Sequence, residues 1–169
     1  MKQKSPKKFK EANEKKNPPP AGTISFKRIL VPIDFSDHSK KALQYAVTLA
    51  EEFHSELILT YVVEPIIYPA DLGFGQVAMP NMEPELMQRG TAGLKQLQKE
   101  YVAGKITSRI LVRTGRPYYE IITTAKEERV DLIVIATHGH TGVEHLIFGS
   151  TAEKVVKKAP CAVLIVKPA

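Results

Sequence analysis

The chain has 169 residues, 43% of them hydrophobic and 25% charged, the size and balance of one soluble globular domain. No apolar run approaches the ~20 residues that a membrane-spanning helix needs, which excludes that class. The net charge of +6 would suggest a nucleic-acid binder if it were spread along the chain, but it is gathered at one end.

Residues 1–22, MKQKSPKKFKEANEKKNPPPAG, hold seven lysines against Glu11 and Glu14, so +5 of the +6 lies there and the remainder is nearly neutral. With almost no large apolar side chains and three terminal prolines, this stretch buries too little surface to offset its ordering entropy, and it is expected to be a flexible tail. It has no apolar core of roughly 7–15 residues, so it does not read as a secretory signal. A basic arm for nucleic acid, anionic lipid or a partner is the second reading. Residues 23–169 read as one domain. Cys161 is the sole cysteine, which rules out a disulfide within the chain and fits a reducing compartment; its place in an apolar run suggests a small packing residue.

The first strand-like run is RILVPID at 28–34. Segment 37–54 follows with Ala42, Leu43, Ala46, Val47, Leu49, Ala50 and Phe53 on one stripe, a helix that Ser36 or Asp37 can cap. ELILTYVV at 56–63 is the second strand. The next stretch, 64–81, contains Pro65, Pro69 and Pro80 and is long for a strand-to-helix connection, a candidate lid or edge flap. Segment 82–102 sets Leu86, Leu94, Leu97 and Tyr101 on one side, with Gly90 and Gly93 weakening its first half. RILVRT at 109–114 leads to a helix over 116–129 with Pro117 in its first turn. DLIVIAT at 131–137 leads to a helix over 150–159 that carries Lys154, Lys157 and Lys158 toward its negative dipole end. CAVLIVK at 161–167 closes the chain.

All five strand runs are nearly continuous rather than alternating, the pattern of a sheet covered on both faces. The β-α-β-α-β-α-β-α-β order with right-handed crossovers predicts an α/β fold: an open doubly wound five-stranded parallel sheet with helices on both faces. The ligand crevice of such a sheet lies at the carboxyl ends of the strands, where strand order reverses.

Several chemistries are absent from the motifs. The sole Gly-Lys pair, Gly104-Lys105, lacks the rest of a P-loop. GFGQVA at 73–78 matches a dinucleotide fingerprint in letters, but it neither follows a strong strand nor opens a helix. His138, Gly139 and His140 do not have the spacing of a nucleotidylyl transferase, and PIDFSD is not the loop of an ATP pyrophosphatase. His138, His140 and His145 with Glu144 form a candidate metal cluster without a second one to complete it.

What remains is ATHGHTGVEHLIFGST at 136–151. Gly139 lets the chain bend just past strand four and come close to a ligand, and Gly149 does so just before the fourth helix. Ser150 and Thr151 then open that helix, whose first N–H groups and positive dipole end attract phosphate. Ser150-Thr151-Ala152-Glu153 is equally a capping box that needs no ligand. Asp34, at the end of strand one, tips the balance toward a ligand. On the expected sheet it faces the same crevice, where a carboxylate accepts hydrogen bonds from ribose hydroxyls.

Over residues 26–168 the chain resembles the universal stress protein family, through ILVPIDFS, GRPYYEII and DLIVIATHGHTGVEHLIFGSTAEKVVKKAPCAVLIVKP. The signature of its nucleotide-binding members, G-x-x-G, nine residues, then G-[ST], runs here from Ala136 through Gly139 to Gly149-Ser150, with alanine at the first glycine. The resemblance implies a Rossmann-like, adenine nucleotide alpha hydrolase-like fold. It implies that Gly139, Gly149, Ser150 and Thr151 hold phosphates with His138 nearby, that Asp34 takes the ribose or adenine, and that Pro32, Ile33, Ile135 and Ala136 line the pocket while the Val62 backbone meets the adenine. It further implies a cytoplasmic ATP-binding regulatory protein, with ADP or AMP as alternative nucleotides, Mg²⁺ accompanying them, and a homodimer through strand 162–167. A nucleotide-free interaction module of the same fold, acting through its dimer surface and basic tail, is the alternative that Ala136 favours.

Overall fold

The computed structural model describes residues 24–65, 82–137 and 149–167. The basic tail and nearly all of the candidate lid lie outside these residues. Five strands, β1 (Arg28–Pro32), β2 (Glu56–Val63), β3 (Ser108–Thr114), β4 (Leu132–Ala136) and β5 (Ala162–Val166), alternate with helices α1 (Asp37–Phe53), α2 (Glu83–Leu97), α3 (Pro117–Glu127) and α4 (Ser150–Lys158). The sheet runs β3-β2-β1-β4-β5 and every neighbouring pair is parallel. Strand order therefore reverses between β1 and β4, as the element order predicts. No helix among the described residues is long and apolar enough to cross a membrane.

Alternation along the strands divides the core in two. Ile29, Val31, Leu57, Leu59, Leu132 and Val134 face α1 and α2, meeting Leu43, Ala46, Ala50, Leu94 and Leu97. Leu30, Ile58, Ile133 and Ile135 face the other way, against Ile121 and Ala125 of α3 and Ala152 and Val155 of α4. All five residues of β4 are buried, which is why its sequence is apolar without interruption. Each fully buried Leu or Ile on these two faces contributes about 1.5–3 kcal/mol through removal from water. β5, at the sheet's end, keeps Ala162 and Leu164 exposed.

Helix ends follow local chemistry. Ser36 caps α1 by accepting from the Ser39 N–H at 3.2 Å. That helix closes through His54 in the left-handed region, φ 53°. The helix expected over 82–102 ends in a π-turn at Gln98–Val102, closed by Ala103 at φ 47°. The capping box that the letters at 150–153 also allowed does not form: Gly149 is the N-cap, no side chain among the described residues caps the helix, and the Glu153 carboxylate pairs with Lys157 at 2.6 Å.

On the flank of the sheet, Arg109 of β3 joins Glu56 at 2.7 Å and Glu128 at 2.6 Å. The hydrogen bond from Arg109 holds the Glu128 carboxyl below its ordinary value of 4.5. A carboxylate depressed in the folded state contributes stability above its unfolded value and loses it as pH falls through the folded one. The acid limb of a stability-versus-pH curve, below pH 4.5, is therefore expected to flatten in Glu128→Gln; an unchanged limb would mean that this partly exposed pair adds nothing. Cys161 is half-buried at the α3–α4 side of the core, where burial pushes its thiol above the ordinary value.

Candidate functional site

β1 delivers the first part of the site. The ladder to β2 extends past Pro32 to Ile33, whose N–H donates to the Thr60 carbonyl at 2.7 Å. The chain then turns through Phe35 at φ 67°. Oδ1 of Asp34 accepts from the Ser36 N–H at 3.0 Å and the Ser36 hydroxyl at 2.6 Å, so the carboxylate also steadies the residue that caps α1.

β4 delivers the second part. Past Ala136 the chain reaches Thr137, 1% exposed. Its N–H donates to the Val166 carbonyl at 3.1 Å, and its carbonyl accepts from the Gly149 N–H at 2.7 Å. That last bond brings the start of α4 back against the end of β4. The first intrahelical bond of α4 runs from the Glu153 N–H to the Gly149 carbonyl at 3.0 Å. The amides of Ser150, Thr151 and Ala152 thus have no intrahelical acceptor and, among the described residues, no capping side chain, and the positive end of the helix dipole is added to them.

These parts border one cleft of about 500 Å³ at the carboxyl edge of the sheet, inside the ~300–1,000 Å³ range of small-molecule sites. Pro32, Ile33 and Asp34 line it from β1, and Val62 lines it from β2. Ile135 and Ala136 line it from β4, and Gly149, Ser150 and Thr151 from α4. His138 and Gly139 lie outside the described residues. Ala136 is 8% exposed and packs in the α1-side core, so its methyl group is accommodated by the protein's own packing.

The cleft also takes residues that motif reading missed. Pro117 and Ile121 enter because α3, like every helix of this topology, begins at the carboxyl edge. Thr60 signals itself as a hydroxyl inside an apolar strand, and its Oγ1 is buried without a hydrogen-bond partner among the described residues. Tyr61, Glu64 and Leu86 have no sequence signal of their own. At the outer side of α4, Lys154 lies 4.8 Å from the Tyr118 ring centroid, a cation–π contact that packs α4 on α3.

Chemically, the cleft combines a carboxylate acceptor at β1, apolar walls at Pro32, Val62, Ile121 and Ile135, and the first-turn amide donors of α4. A ligand with an apolar ring, hydroxyls and an anionic end satisfies all three.

The sequence matches the family model for the universal stress protein family over residues 25–167. It is 37% identical over 151 residues to a universal stress protein of Methanocaldococcus jannaschii, covering 86% of this chain and 85% of that one. Among solved structures, the universal stress protein UspA from Lactobacillus plantarum superposes with a TM-score of 0.71 at 28% identity, covering 85% of this chain and 99% of that one. A universal stress protein in complex with cAMP superposes with a TM-score of 0.60 over 85% of this chain and 98% of that one. At 22% identity this last likeness shows the shared fold alone.

Proposed function

The chain belongs to the universal stress protein family, and on that premise we propose that it is a cytoplasmic ATP-binding protein, a homodimeric regulatory switch whose contacts depend on nucleotide occupancy. One observation carries the reading: the amino end of α4 and the Asp34 carboxylate border the same cleft at the switch point of the sheet. That the fold holds cAMP in a distant relative agrees with it.

In this reading the amides and hydroxyls of Ser150 and Thr151, with Gly149, hold the phosphates, and His138 and Gly139 complete that end by resemblance. Asp34 takes the ribose hydroxyls while Pro32, Ile33, Ile135 and Ala136 enclose the base. Val62 supplies backbone groups to the adenine edge, and strand geometry supports this. The Thr60 carbonyl points to β1 and the Val63 carbonyl to the β3 side. Val62, two residues after Thr60, directs its groups toward the β1 side, beyond the point where β1 has turned away. Mg²⁺ accompanying the nucleotide is held mainly by phosphate oxygens and water. In this reading the protein binds ATP more than it turns it over, and any hydrolysis is slow. ADP and AMP share the base and ribose contacts.

Pairing of two copies through β5 would cover Leu164, 37% exposed on an edge strand that otherwise invites uncontrolled association. In this reading the nucleotide site belongs to the domain at 23–169, and residues 1–22 take no part in it. Titration calorimetry of the full chain with ATP, ADP and AMP is expected to show saturable binding of one nucleotide per protomer. Mass spectrometry of gently purified protein is expected to find an adenine nucleotide travelling with it. No heat with all three and no nucleotide in the purified chain would return the protein to the nucleotide-free class.

A further inference from the structure

Phe35, between Asp34 and Ser36, stands in the left-handed region at φ 67°, which a bulky L-residue adopts only where its surroundings hold it. Here the holding contacts are visible. The Phe35 ring packs on the Tyr61 ring with centroids 4.9 Å apart and 48° between the planes. On its other side is Gly93 of α2, where a Cβ would stand 2.6 Å from Phe35 Cε1. Tyr61 meets the same helix at Gly90, where a Cβ would collide with its Cδ1. Gly90 and Gly93 are three residues apart and share a helix face, so together they form a notch that receives both rings. Glycine weakens a helix interior; space for the two rings is what the helix gains in exchange.

The same rings adjoin the cleft. Tyr61 lines it, as does Leu86, one turn before Gly90 on α2. The turn at Phe35 is what allows Asp34 Oδ1 to receive both the N–H and the hydroxyl of Ser36. We infer that Phe35 is a positioning residue: its ring, seated in the α2 glycine notch, imposes the left-handed turn that fixes the Asp34 carboxylate at the cleft. The seating of α2 on the sheet thereby sets how tightly the Asp34 end holds its ligand. The identity of that ligand rests on the adenine-nucleotide reading above; the geometry does not.

The test uses the full chain in two variants, Phe35→Leu, which removes the ring, and Gly93→Ala, which displaces it from the helix side and serves where the first does not fold. Each is expected to weaken ATP binding by about tenfold, the scale of one displaced charge-assisted hydrogen bond. Each should also speed hydrogen exchange at the Ser36 amide, which Asp34 holds. In an Asp34→Asn background, Phe35→Leu should change ATP affinity by less than about twofold, because coupled residues are not additive. If the variants melt earlier but keep wild-type ATP affinity and Ser36 exchange, the rings only fasten α2 and the inference is wrong. An undiminished loss in the Asp34→Asn background overturns it as well, since the effect then bypasses Asp34. Should the wild type bind no ATP, the nucleotide reading fails on its own, and Ser36 exchange alone decides whether the notch fixes the turn.

Discussion

Gly149→Val lowers ATP affinity by about 100-fold while moving the melting temperature by only about 2–4 °C. The two halves of this expectation have separate causes. Gly149 has φ −68° and ψ 152°, extended backbone in which valine is at ease. Its bonds among the described residues, from its N–H to the Thr137 carbonyl and to its carbonyl from the Glu153 N–H, use only main-chain groups. Neither that conformation nor those bonds require glycine. The cleft does, because Gly149 borders it beside the first-turn amides of Ser150 and Thr151, and a branched side chain there keeps an anion from reaching them. Ser150→Ala is the graded control: it removes one hydroxyl, leaves the amides in place and should cost only about three- to tenfold. Calorimetry reads affinity and thermal unfolding reads stability. Equal ATP affinity in Gly149→Val and wild type would remove α4 from the site, whereas a collapse of the melting temperature would show that glycine is needed there by the fold.

The contrast between Gly149 and its neighbour shows what one sequence discloses. The letters S-T-A-E at 150–153 satisfy a capping box, but the box forms only if Ser150 is the N-cap. The bond from Gly149 to Thr137 makes Gly149 the cap and Ser150 the first helical residue. A shift of one position separates a helix closed by its own side chains from one that has no capping side chain among the described residues, and that shift accompanies a contact to β4 that no local pattern encodes. Asp34 was legible as a cleft residue because strand order alone puts the ends of β1 and β4 side by side. Its bonds to Ser36 were not, because they need Phe35 in a conformation that phenylalanine rarely takes. Gly90 and Gly93 read as weak points of a helix until the rings that fill their places are seen. The strands show the same limit. DLIVIAT and CAVLIVK are equally apolar, yet β4 is buried throughout and β5 is not. A run of apolar residues reports that both faces are to be covered and is silent on whether the cover is the chain's own helices or another copy.

That difference between β4 and β5 leads to the largest expected change in stability. Ile133, fully buried, is aligned with Leu30 on one side and Val163 on the other. It belongs to the core face completed by Ile121, Ala125 and Val155. Ile133→Ala leaves a void bounded by the sheet and two helices, which cannot all close on it, and should cost about 3 kcal/mol. Against a total stability of about 5–15 kcal/mol this is a large fraction, and for a chain of this size it lowers the melting temperature by about 6–12 °C. Leu164→Ala makes a comparable truncation on β5, but Leu164 is 37% exposed in the single chain, so little is lost while protomers are apart. Where β5 pairs with a second copy, burial of Leu164 is linked to association, and the penalty grows with protein concentration. Melting both variants across a concentration series separates the cases. A constant deficit is expected for Ile133→Ala and a rising one for Leu164→Ala; a deficit in Leu164→Ala that stays small at every concentration would place the dimer contact elsewhere than β5.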